Sequence, residues 1–193
     1  MTILRCVLVA REWTMRLRAT RAQQIMPVVP FENLPDASRI WVFGSDKPLT
    51  EEGTTALLKG VDAYLADWKA HGAPLTVASQ FRDKRFLVVG VDQSMAGATG
   101  CSIDGLFRVL QGLEKQIGTS MVGGGRVFYR AEAGTVQSAS RDEIPGLMSS
   151  GAITKDTVVF DQSITDLGTF RAAFERRAKE SWVRDLAGFA KAD

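Results

Sequence analysis

Soft metal ligands are scarce in this chain. Its 193 residues include two cysteines, Cys6 and Cys101, and one histidine, His71. Two cysteines so far apart in sequence make no disulfide framework, and they point to a reduced, cytoplasmic setting. No C-x-x-C occurs, and one cysteine with one histidine beyond residue 25 cannot complete a usual zinc set. No run of about 18 apolar residues is present, so no membrane-spanning helix is expected. The chain has no Gly-Lys dipeptide, which removes the P-loop G-x-x-x-x-G-K-[ST], and no G-x-G-x-x-G occurs. No cofactor and no metal are expected.

What is present suits one globular domain. The hydrophobic fraction is 45% and the charged fraction 24%, enough at this length to bury a core without cross-links. The net charge of +2 is unevenly spread. Residues 1–25 carry Arg5, Arg11, Arg16, Arg18 and Arg21 against Glu12 alone, so the remainder is slightly acidic. The arginines break and trail the one short apolar stretch, which is the wrong order for a signal peptide. Residues 1–25 are expected to form a basic, disordered extension, and residues 26–193 a single α+β domain opening at Met26.

From Met26 onward the pattern is regular. Arg39 to Phe43 reads as a strand. Thr50 caps a helix that shows Leu57, Val61, Leu65 and Trp68 at helical spacing and stops at His71-Gly72. Leu75 to Arg82 alternates like a half-buried strand. Asp83-Lys84 turns the chain into Phe86 to Val89, a continuous apolar run fit for a central strand. Ile103, Leu106, Phe107, Leu110, Leu113 and Ile117 share the face of a second helix. Gly123-Gly124-Gly125 precedes a strand at Val127–Tyr129, and Glu132-Ala133-Gly134 turns it into Thr135–Ala139. Ser140 and Glu143 form a capping box for a short helix. Thr157–Phe160 reads as a last strand. Leu167, Phe170, Phe174, Ala178 and Trp182 predict one long final helix. The order from Arg39 to Arg130 is β-α-β-β-α-β, that of a ferredoxin-like core with the first and third strands central. A C-terminal β-hairpin, short helix, strand and long helix would pack on it.

That order would place several chemical groups at one end of the sheet. His71 follows the first helix, Asp92 closes the third strand, and Cys101, Ser102 and Asp104 open the second helix. Backbone N–H groups at a helix start favour a thiolate, while nearby carboxylates oppose it. Cys101 as nucleophile, His71 as base and Asp92 as orienting carboxylate would make a thiol site, with Ser102 and Asp104 as binding groups. The plainer account makes Cys101 a small plug under the helix and His71 a helix-end residue. Asp92 with Asp104 is a weak candidate for a hard cation. Gly123-Gly124-Gly125 beside Arg126 could form a backbone nest for an anion. Arg171, Arg176, Arg177, Lys179 and Arg184 alternate with Glu175, Glu180 and Asp185, so nucleic acid is disfavoured as a partner.

The chain resembles a family of short, uncharacterised bacterial proteins often labelled "ABC transporter ATPase". The resemblance runs over roughly residues 30–185. It rests on Phe31-Glu32-Asn33-Leu34-Pro35, Arg39-Ile40-Trp41-Val42-Phe43, Trp68 with His71-Gly72, Arg85-Phe86, Asp92, Gly100-Cys101-Ser102-Ile103-Asp104, Thr154 to Phe160, and Ser181-Trp182. The label implies ATP hydrolysis, but the chain has no Walker A sequence to support it. Two classes therefore stand. One is a non-catalytic module binding a protein or small molecule. The other is a thiol-dependent enzyme or redox-responsive protein built on Cys101.

Overall fold

A computed structural model describes residues 28–94 and 97–187. The expectation for residues 1–25 lies outside them. The described chain is mixed α+β, with three antiparallel sheets. Its elements are β1 (Arg39–Gly44), α1 (Glu51–Ala66), β2 (Lys69–Ala70), β3 (Ala73–Pro74), β4 (Thr76–Arg82), β5 (Phe86–Asp92) and α2 (Gly100–Ile117). There follow β6 (Arg126–Arg130), β7 (Val136–Ser140), α3 (Ile144–Ser149), β8 (Val158–Phe160), α4 (Leu167–Ala173), β9 (Glu175–Arg177) and α5 (Val183–Ala187).

The first sheet has the order β1-β5-β4. Its central strand is the continuous apolar run, and both of its faces are covered. Leu87, Val89 and Val91 point with Phe43 and Val77 towards α1 and α2, where Leu57, Val61, Leu65, Leu106 and Leu110 meet them. Phe86 and Val88 point with Ile40 and Ala78 to the other side, against Phe128, Phe160, Phe170 and Phe174. Alternate residues of a strand face opposite ways, so a strand buried on both faces cannot carry polar alternation.

A fourth strand was expected beside β1, and the structure corrects this. Residues Arg126–Arg130 lie in a second sheet of order β7-β6-β8-β9. Strand β6 buries Phe128 on the side of the first sheet and Val127 and Tyr129 against α3 and α5. It is therefore a two-faced strand with its own hairpin partner, β7. Strand β1 is left at the edge of its sheet instead of the centre.

Two further expectations change. Helix α1 ends at Ala66, and His71-Gly72 is the two-residue turn of the β2–β3 hairpin, with Ala70 opposite Ala73. Both turn residues have positive φ, 51° and 79°, as a type I′ turn requires. The long final helix is divided. Helix α4 ends at Ala173, and Glu175–Arg177 pairs with β8. The apolar stripe is real but serves two cores, since Phe170 and Phe174 join the aromatic layer and Ala178 lies under α5.

Candidate functional site

The residues singled out around Cys101 sit where α1, β4, β5 and α2 approach one end of the first sheet. Asp92 is opposite Thr76, and its Oδ1 accepts from the Ser94 backbone N–H at 2.9 Å. Cys101 is exposed and in no disulfide. Asp104 is exposed, and so is His71 at its hairpin turn. No hydrogen bond joins Cys101, His71 and Asp92 to one another among the described residues. No group of three or more His, Cys, Asp or Glu side chains able to hold a metal occurs among them either.

What this segment does visibly is anchor α2. Thr99 is the N-cap, and Thr99 and Ser102 form a reciprocal capping box. The Ser102 carbonyl accepts from the Tyr64 hydroxyl at 2.7 Å and from Trp68 Nε1 at 3.0 Å. A Cβ at Gly105 would stand 2.4 Å from the Tyr64 oxygen, so the glycine makes room for the phenol. Burial raises the Tyr64 pKa above its usual value, against an opposing effect of Arg108.

A cleft of another kind lies elsewhere, along the outer edge of β1. It is an open cleft of ≈ 740 Å³, within the range of about 300–1,000 Å³ common for ligand sites. Residues Arg39–Phe43, Phe107, the Met121–Arg126 loop, Asp161–Thr165 and Trp182 contribute to its walls. Four arginines line it: Arg39, Arg126, Arg141 and Arg176. None of them forms an ion pair among the described residues, whereas Arg82, Arg130, Arg171, Arg177 and Arg184 all do. The arginines of the cleft are instead held by neutral groups. The Arg39 guanidinium lies over the Trp41 ring at 4.8 Å and that of Arg141 over Trp182 at 5.0 Å. Arg126 donates to Ser138 Oγ at 3.2 Å and Arg176 to the Ala173 carbonyl at 3.1 Å. Such positioning leaves guanidinium donors available to an anion.

The acids nearby are committed. Burial opposes ionisation of Asp46, but hydrogen bonds from Thr119 and the Ser120 N–H, together with the charges of Lys47 and Arg126, outweigh it and lower its pKa. Glu143 is held low by the Ser140 backbone N–H and hydroxyl. Asp161 accepts from Ser163. Only Asp161 and Glu180 offset the four arginines within the lining.

Of the residues chosen from the sequence, Arg126 lies in this cleft, and Cys101, His71, Asp92, Ser102 and Asp104 do not. Gly124 and Gly125, both in the left-handed region at φ 60° and 80°, stand beside Arg126 in the lining. The glycine run was the one local signal. Arg39, Arg141, Arg176, Trp41 and Trp182 were missed because only the docking of the second sheet on the first brings them together. No family model matches the chain, and no curated protein or solved structure is similar to it at a meaningful level.

Proposed function

We propose that this protein is a non-catalytic binding module whose site is the cleft beside β1, and that its ligand is an anion with an apolar or aromatic part. The observation that carries this is the set of four cleft arginines without a carboxylate partner among the described residues. Like charges gathered in one cleft repel each other, and an anion relieves that repulsion while accepting charge-assisted hydrogen bonds. Trp41, Phe107 and Trp182 supply apolar surface between them. The associated reading is a cytoplasmic bacterial protein of the family named above, with its first sheet and two helices as the β-α-β-β-α part of a ferredoxin-like core. The crossover β1-α1-β4, with β5 between the two strands, supports it.

The test uses an aromatic anion, 8-anilinonaphthalene-1-sulfonate, titrated against the native chain and an Arg126→Ala/Arg141→Ala variant. We expect binding to weaken about tenfold or more in the variant, since hydrogen bonds to charged groups are worth about 1.5–3 kcal/mol each. Added salt should weaken it further. Equal binding by both proteins would overturn the reading.

The second reading is a thiol site at Cys101, favoured by the exposure of that side chain. It requires His71→Ala to slow alkylation of Cys101, measured with Cys6 replaced by serine. The binding-module reading expects an unchanged rate.

A further inference from the structure

The outer edge of β1 is stopped at both ends and open between them. In an antiparallel pair, alternate residues turn their N–H and C=O groups towards the partner strand. The Ser45 N–H donates to the Arg85 carbonyl, so in this register the odd residues of β1 face β5 and the even residues face outward. The outward Ile40 N–H is taken by the Thr165 carbonyl at 2.9 Å. Beyond the strand, the Asp46 N–H is taken by the Ser120 carbonyl at 2.9 Å. Between these stops, the N–H and C=O of half-buried Val42 face outward with no partner among the described residues, while Gly44 is buried. Val42 lines the cleft. The Gln162 amide nitrogen, beside Gly44, is also buried without a partner. Unpaired edge groups of this kind are a template for another strand.

We propose that the cleft takes an extended acidic segment of a partner protein, which adds to β1 as a further strand opposite Val42. This rests on the anion-binding reading and names the ligand class of that site. One guest residue opposite Val42 exchanges both backbone hydrogen bonds with it. Guest side chains alternate about the added strand, so acids set two apart share one side. Arg39, Arg126 and Arg141 are the cations within the same cleft to receive them.

Charge decides among occupants. Residues 1–27 of this chain hold five arginines and one acid, so that segment would meet its own sign. A second copy pairing β1 with β1 would bring two arginine-lined clefts together and add like charge to like. An acidic strand meets neither repulsion. Strand addition of this kind gains affinity from main-chain bonds and specificity from side-chain pockets.

The experiment uses an octapeptide of alternating glutamate and valine, a lysine-valine control, and the acidic peptide N-methylated on alternate residues in each of the two registers. Binding is read by Trp fluorescence and by amide exchange of the full chain. The acidic peptide should bind, the lysine peptide should not, and exchange at Val42 should slow about tenfold or more. One methylated register should bind about tenfold more weakly, close to the loss of one backbone hydrogen bond. Val42→Pro removes the outward N–H where proline is tolerated, on an edge strand. It should weaken the peptide similarly. If that variant fails to fold, the methylated peptides decide alone. Acidic-peptide binding that ignores methylation and leaves Val42 exchange unchanged would overturn strand addition while sparing the anion cleft. Sulfonate binding without peptide binding, preference for a single-stranded oligonucleotide, or self-association that protects Val42 would each overturn the proposed occupant.

Discussion

Gly105 and Tyr64 show how much one missing methyl group can organise. The phenol oxygen occupies the space that a Cβ at residue 105 would need, and from there it donates to Ser102 in the first turn of α2. Gly105→Ala should push the ring away, break that bond and cost about 1–3 kcal/mol, as overpacking does. Urea unfolding measures the loss. A second readout is independent of stability. The Tyr64 pKa is raised by burial, so in the variant its phenol should ionise nearer the ordinary value in a spectrophotometric titration. Native stability contributed by this raised acid is present below the unfolded-state value and fades as pH climbs through the folded one. A variant with an unmoved tyrosine titration would show that Tyr64 keeps its place without the glycine.

At the scale of elements, the loops that frame β1 are held by Asp46. Its carboxylate accepts from Thr119 and from the Ser120 N–H, and Ser120 in turn accepts the Asp46 N–H. Hydrogen bonding lowers the Asp46 pKa from 3.8 despite the opposing effect of burial. A depressed folded-state pKa stabilises the fold above the unfolded value, and that contribution is lost as pH falls through the folded one. The native chain should therefore lose stability below about pH 3.8 more steeply than Asp46→Asn, which should already be weaker at pH 7. Urea midpoints at pH 7, 4 and 3 check this, and parallel losses in both proteins would count against it. The capping box at α2 gives a sister prediction. Thr99→Ala should cost about 1 kcal/mol in the same assay.

These elements also show what a linear reading captures. Strand β5 was legible because a strand buried on both faces must be apolar throughout. Helix α2 was legible because its apolar face repeats at helical spacing. The turn at His71-Gly72 was not, because a glycine after an apolar stripe equally marks a helix end, and only the pairing of Ala70 with Ala73 separates the two. The division of the final helix was hidden for a similar reason. The outer edge of β8 needs a partner, and Glu175–Arg177 provides one, but nothing local in those residues announces it. The cleft was legible only through Gly124, Gly125 and Arg126. Its other arginines lie on separate elements that a sequence does not place side by side.

Across the whole molecule, the first sheet belongs to two cores at once, and Phe86 is where the second one meets it. Its ring packs at 5.0 Å from Phe128, 4.9 Å from Phe160 and 5.1 Å from Phe174, and the residue is fully buried. An ion-pair network closes over the same contact. Arg82 and Arg130 both meet Asp83 and Glu175 and lie over Phe174 and Phe160. Partly exposed pairs of this kind add little each, so the aromatic layer is the main tie between the two sheets. Truncating a buried phenylalanine to alanine costs about 3–5 kcal/mol, which is comparable to the whole stability of many domains. Phe86→Leu is the gentler test. Trp68 packs on the helical side of the first sheet, and Trp182 packs by α5 beyond the second, so single-tryptophan variants can report each side. If the aromatic layer couples the sheets, both reporters should unfold at one urea concentration in the parent and shift together in Phe86→Leu. A Trp182 signal that moves to lower urea while Trp68 stays in place would show instead that the second sheet unfolds as a unit of its own, with the cleft lost before the core.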